Sequence, residues 1–140
     1  MRPTWEQYAL SIAEAVSSRS QDPWLQVGAV VMRPDRSVAS VGYNGAPAGI
    51  ELEWLDREVR RPYVIHAEVN ALRYVTPQDC GKGSLMAVTH MPCVDCLRVI
   101  ASYGVGLVVF SKPTPGYSEA QSSEVAAALG IALEQRGGGL

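Results

Sequence analysis

Two short stretches, His66-Ala67-Glu68 and Pro92-Cys93-Val94-Asp95-Cys96, restrict most what this chain can become. One imidazole and two thiolates can hold a zinc ion with three protein ligands, which leaves the fourth tetrahedral position to water. A carboxylate beside them, Glu68, can move that water's protons. Structural zinc is usually closed by four protein ligands, so three ligands and a base argue for hydrolytic chemistry. The fold must then bring the segment near residue 66 against the segment near residue 93. Either motif alone is weak; together, in this order and with proline before the first cysteine, they are specific. The competing reading, a core histidine beside a redox C-x-x-C pair, leaves Glu68 unexplained.

The spacing suits helix starts. Cys93 and Cys96 are three apart, which places both sulfurs on one face of a helix that Pro92 is suited to enter and that continues through Leu97, Ile100 and Ala101. The positive end of that helix favours the thiolate form. His66 and Glu68 open a second helix running through Ala67, Ala71, Leu72 and Val75, so two helix N-termini are expected to converge on the metal.

Around these motifs the chain alternates strand-like and helical runs. Thr4-Trp5-Glu6-Gln7 has the form of a capping box, followed at helical spacing by Tyr8, Ala9, Ile12, Ala13 and Val16, with the end near Ser18. Val27–Met32 and Val38–Tyr43, separated by Arg33-Pro34-Asp35-Arg36-Ser37, read as a hairpin. From Asn44 to about Pro62 no periodicity is evident, and so long a connection is expected to lie over the site. Ser84–Thr89 and Val105–Phe110 read as parallel strands flanking the cysteine helix. A helix over about Ser118 to Leu129 and a strand at Ile131–Glu134 complete the chain, and Gly137-Gly138-Gly139-Leu140 is expected to fray. The predicted class is α/β: a three-layer α/β/α arrangement with a central mixed five-stranded sheet and the zinc at helix N-termini along one edge of that sheet.

With 140 residues and 47% hydrophobic content, the chain is expected to form one domain over 1–140 rather than two. A formal charge of -2 gives no basic footprint and disfavours a duplex nucleic-acid binder. No apolar leader and no membrane-length run is evident, so a cytoplasmic, membrane-free protein is expected. Two of the three cysteines are assigned to metal, which leaves Cys80 as a bystander thiol without a disulfide partner.

The order H-x-E, then P-C-x-x-C, is that of zinc nucleobase deaminases. With Gln26–Val31, Gly42-Tyr43-Asn44-Gly45-Ala46-Pro47-Ala48-Gly49, Tyr63–Ala71 and Val88–Cys96, the chain resembles the deoxycytidylate deaminases of the cytidine deaminase-like superfamily over about residues 20 to 110. The resemblance implies hydrolysis of dCMP to dUMP and ammonia, a step that supplies thymidylate synthesis. Zinc held by His66, Cys93 and Cys96 would bring the pKa of water to about 7 for attack at C4. Glu68 would take that proton, protonate N3 and assist the departing amine.

The same resemblance makes Asn44 a contact to the sugar hydroxyl or the base, although Asn-Gly is also a strong turn dipeptide. It places Ala67, Gly45 and Pro92 in the substrate site, Ala67 through its backbone. His90 reads either as a residue supporting the metal site or as a plain strand end. Where the family carries Ser-(Lys/Arg)-Asp-Pro, this chain has Ser20-Gln21-Asp22-Pro23: Ser20 remains a phosphate contact, and the missing cation is sought in Arg19 or among Arg57, Arg60 and Arg61. Relatives of this kind imply a homohexamer regulated by dCTP and dTTP. The acidic stretch Ile50–Glu58 is either a site for Mg2+ carried by an effector nucleotide or a solvated loop face, and Trp54 and Leu55 within it hint at packing against a neighbouring subunit. Other cytosine nucleotides (dCTP, or 5-substituted dCMP) and tRNA or other nucleic-acid bases are the alternative substrates.

Overall fold

In the computed structural model, which describes residues 1–137, the strand Gly28–Met32 is buried throughout. The last residues of the tail expected to fray, 138–140, lie outside the described residues. In chain order the elements are α1 (Trp5–Ser17), β1 (Gly28–Met32), β2 (Val38–Tyr43), α2 (Arg57–Arg60), α3 (Ala67–Leu72), β3 (Leu85–His90), α4 (Val94–Ser102), β4 (Leu107–Lys112), α5 (Glu119–Ala128) and β5 (Ala132–Gln135). Short 3-10 turns at Arg61–Tyr63 and Pro77–Asp79 complete the set.

The five strands form one mixed sheet in the order β2-β1-β3-β4-β5. β1 is antiparallel to both β2 and β3, whereas β3, β4 and β5 run parallel. Side-chain alternation sorts the core into two layers. Val30, Met32, Leu85, Ala87 and Val109 face α1, where Ala9, Leu10 and Ala13 cover them. Ala29, Val31, Met86, Val88 and Val108 pack with Ala71 of α3, Leu97 and Ile100 of α4 and Ala126 of α5. The expected three-layer α/β/α arrangement is therefore present, with α1 on one face and α3, α4 and α5 on the other.

Two glycines set how closely the helices lie. A Cβ on Gly28 would fall 2.0 Å from the Ala13 carbonyl oxygen of α1, and one on Gly42 would fall 2.3 Å from the Ala71 nitrogen of α3. Neither site has room for a methyl group. The capping box at Thr4 forms as read, the Thr4 hydroxyl accepting from Gln7 N–H and the Gln7 amide oxygen accepting from Thr4 N–H.

Two expectations change. The helix opened by His66 stops at Leu72 rather than running through Val75. Pro77 keeps the preceding Thr76 extended (φ -107°, ψ 162°), so the chain leaves the helix before it, and Val75 is buried from a turn instead. The stretch from Asn44 to Pro62 does hold a helical turn, α2, started by Asp56, whose carboxylate accepts from Glu58 and Val59 N–H. Four residues are too few to show a period. No helix among the described residues is long and apolar enough to cross a membrane.

Candidate active site

α3 and α4 both begin at the end of the sheet where β3 finishes, and each start carries one candidate ligand in its capping position. His66 caps α3 and Cys93 caps α4, both with extended backbone (ψ 152° and 168°). The Cys93 sulfur accepts from Cys96 N–H at 3.4 Å, so one thiolate also satisfies the helix start. Cys96 sits in the first turn of α4, buried beneath it. His66 Nδ1 lies 3.2 Å from Cys96 Sγ and 3.6 Å from Cys93 Sγ. The three donor atoms all fall within 4.8 Å of one another.

These separations fit one tetrahedral ion. With metal–nitrogen and metal–sulfur bonds of about 2.1 and 2.3 Å, neighbouring ligand atoms stand roughly 3.5 Å apart. The electrostatics ask for a cation as well. The Cys93 thiol is pulled down to about 4, chiefly by a hydrogen bond from Cys96 and then by one from His66. Cys96 is pushed up by that same contact with Cys93, by burial and by Glu68. Two touching thiols cannot both ionise unless an opposing charge sits between them, and a divalent ion with an N/S preference supplies it.

Glu68, in the first turn of α3, is only 5% exposed, and burial raises its carboxyl above the usual range, with the His66 charge opposing. Glu68, His66, Ala67, Cys93 and Asn44 line a cavity of about 470 Å³, within the range of small-molecule sites. Trp24, Leu25, Arg57, Arg60 and Tyr117 line it as well.

The remaining expected contacts divide. Asn44 reaches the cavity, but its amide also braces the loop before β1: Oδ1 accepts from Val27 N–H at 2.8 Å, and Nδ2 donates to the Leu25 carbonyl at 2.9 Å. One amide N–H and one lone pair stay available for a ligand. Ser20, Gly45 and Pro92 do not line the cavity. The Ser20 hydroxyl donates to the Asn44 carbonyl, Gly45 pairs with Ile65 as an isolated bridge, and the Pro92 carbonyl accepts from Ser122 Oγ. All three hold the walls instead. His90 lines the cavity, its Nδ1 2.8 Å from Thr89 Oγ1.

Two features went unread in the sequence. Arg60 is buried against Asp22, Nη1 to Oδ1 3.1 Å, although the residues stand far apart in the chain. Tyr117 arrives from the loop before α5. Neither has a local pattern to announce it; Asp22 did carry a signal in Asp-Pro, a turn-forming pair.

Comparison with known proteins agrees with this geometry. The family model described as the cytidine and deoxycytidylate deaminase zinc-binding region matches residues 3–112. A deoxycytidylate deaminase of Mycobacterium phage D29 is 37% identical over 126 residues, covering 79% of this chain and 97% of the phage protein. The deoxycytidylate deaminase of Pongo abelii is 34% identical over 114 residues, covering 76% of this chain; the aligned region spans 64% of the length of that longer relative. Among solved structures, the dCMP deaminase from cyanophage S-TIM5 in complex with dCMP and dUMP superposes with a TM-score of 0.79 at 31% identity, covering 97% of this chain and 99% of that one.

Proposed function

The chain belongs to the cytidine and deoxycytidylate deaminase zinc-binding family, and we propose that it hydrolyses dCMP to dUMP and ammonia. The observation that carries this reading is the convergence of His66, Cys93 and Cys96 beside a buried carboxylate in one cavity. The relatives named deoxycytidylate deaminase, and the cyanophage structure holding dCMP and dUMP, favour that nucleotide.

His66 Nδ1 and the two sulfurs would hold zinc, which when bound supplies the Lewis acidity that makes water a nucleophile at neutral pH. Glu68 Oε takes the proton that this water must lose and delivers it to N3 as oxygen joins C4. It then takes the remaining proton from the new C4 hydroxyl and passes it to the amine as the C4–N bond breaks, leaving a C4 carbonyl and ammonia. A raised pKa suits a group that must both accept and donate near neutrality. Ala67, fully buried between ligand and base, brings backbone rather than side chain to the ring. Asn44 keeps one N–H for the sugar while fixing the loop beneath it.

Residues 1–140 would act as a single deaminase domain. The finer features belong to the same proposal: a cytoplasmic homohexamer under dCTP and dTTP control, with Mg2+ accompanying an effector over Ile50–Glu58. Exposed apolar residues there, Ile50 and Leu55, are consistent with a covered loop. Steady-state rates on cytidine, deoxycytidine, dCMP, its 5-methyl and 5-hydroxymethyl forms, CMP and dCTP, each with and without dCTP or dTTP, test the whole reading. Turnover confined to dCTP would replace the substrate named here.

A further inference from the structure

A nucleotide brings an anion into a cavity already lined by the Glu68 carboxylate and the Cys93 thiol, so its phosphate needs a cation from this chain. Among the described residues only two lysines or arginines line the cavity, Arg57 and Arg60. Gln21, in the turn beside it, carries no charge.

The two arginines are not equivalent. Arg60 is 6% exposed, its guanidinium lies 5.9 Å from the Trp54 ring, and its charge is matched by Asp22, itself 8% exposed. The Asp22 carboxylate is fixed in turn by Trp24 and Leu25 N–H. This pair is a neutral part of the wall, and removing either member would strand a buried charge. Arg57 sits one turn earlier on α2, exposed, and makes no ion pair among the described residues. Arg61 points elsewhere: it is exposed, approaches Glu58 and does not line the cavity.

We propose that Arg57 binds the terminal phosphate of the nucleotide in this cavity, with the Arg60–Asp22 pair as the fixed wall that orients it. The proposal rests on the deaminase reading and deepens it. One unmatched guanidinium can grip a phosphate bidentately, and it suits a monophosphate of charge about -2. A triphosphate would bring further negative charge that no other cation on this wall offsets. Arg57 thus takes the place of the cation absent at Gln21, and selects nucleotide over nucleoside.

The experiment uses the zinc-loaded enzyme and its Arg57→Ala, Arg57→Glu and Arg61→Ala variants, with two readouts. The first is the ratio of kcat/KM for dCMP to that for deoxycytidine. It falls roughly 30-fold in Arg57→Ala, as expected for one charge-assisted contact, further in Arg57→Glu, and stays within twofold in Arg61→Ala. The second is melting temperature with added inorganic phosphate, which rises for the wild type and Arg61→Ala but not for Arg57→Ala. An Arg57→Ala enzyme that keeps the wild-type ratio, or that phosphate protects as well as the wild type, overturns the assignment. If the wild type deaminates neither compound, the deaminase reading fails by itself, and the phosphate measurement still decides whether Arg57 is an anion site.

Discussion

Glu68 and Asn44 illustrate two ways a residue serves this cavity, and they separate experimentally. In the proposed mechanism Glu68 moves protons without holding the fold, so Glu68→Gln, which keeps shape and burial, should retain zinc and melting temperature while lowering kcat by about 10³-fold. Metal analysis beside single-turnover rates checks this; a Gln variant that works at the wild-type rate would remove Glu68 from the chemistry. Asn44 also holds the fold, because its amide satisfies Val27 N–H and the Leu25 carbonyl. Asn44→Ala leaves two backbone groups short of partners and should cost about 2 kcal/mol or more, read as a lowered urea midpoint at constant m-value. Unchanged stability with a raised KM would instead make Asn44 a pure ligand contact. The grouping of His66, Cys93 and Cys96 as candidate zinc ligands, with Glu68 beside them, was legible in the sequence because each motif is compact and its chemistry is residue-specific. The pairing of Arg60 with Asp22 was not, since it arises only when the loop after β2 folds back over the loop that precedes β1.

Among the elements, α3 carries His66 at its cap and Glu68 in its first turn, and its placement depends on Gly42 of β2. In the sequence Gly42 reads as part of a strand and of the segment Gly42–Gly49 that carries the resemblance; that a helix backbone rests on it is a tertiary fact, as is the stop of α3 at Leu72. By contrast α1 was readable to within a residue because its capping box is local. β1 and β3 were readable because burial on both faces leaves an uninterrupted apolar run. Since a methyl at Gly42 would meet backbone atoms of α3 rather than a flexible side chain, Gly42→Ala must push the helix away from the sheet. The expected cost is at least about 3 kcal/mol, with loss of zinc affinity in whatever protein still folds. Ala at Gly45, whose Cβ would meet only the Tyr43 ring at 3.8 Å, is the control. Equal melting temperatures for the two variants would contradict the close approach of α3 to β2.

At the scale of the whole molecule, the two helix starts that carry the candidate ligands belong to successive crossovers, β2 to β3 through α3 and β3 to β4 through α4. An ion held by His66 from one and by Cys93 and Cys96 from the other ties those crossovers together at the sheet end. It also offsets the charge of paired sulfurs, of which Cys96 is otherwise held as the neutral thiol by its contact with Cys93, by burial and by Glu68. Such an ion binds the folded chain far better than the unfolded one, so its affinity adds to stability: about 4 kcal/mol when free zinc stands a thousandfold above its dissociation constant. For a chain of this size, each kcal/mol moves the melting temperature by about 2–4 °C. Chelation should therefore lower the melting temperature by about 10 °C and abolish turnover, and one equivalent of Zn2+ should restore both, followed by calorimetry and ammonia release on the same sample. The thermal half distinguishes a metal built into the fold from one needed for catalysis alone. If chelation removed activity and left the melting curve in place, the link between α3 and α4 would have to reside in their packing, through the apolar contacts shared by Ala71, Leu72 and Leu97, and not in the ion.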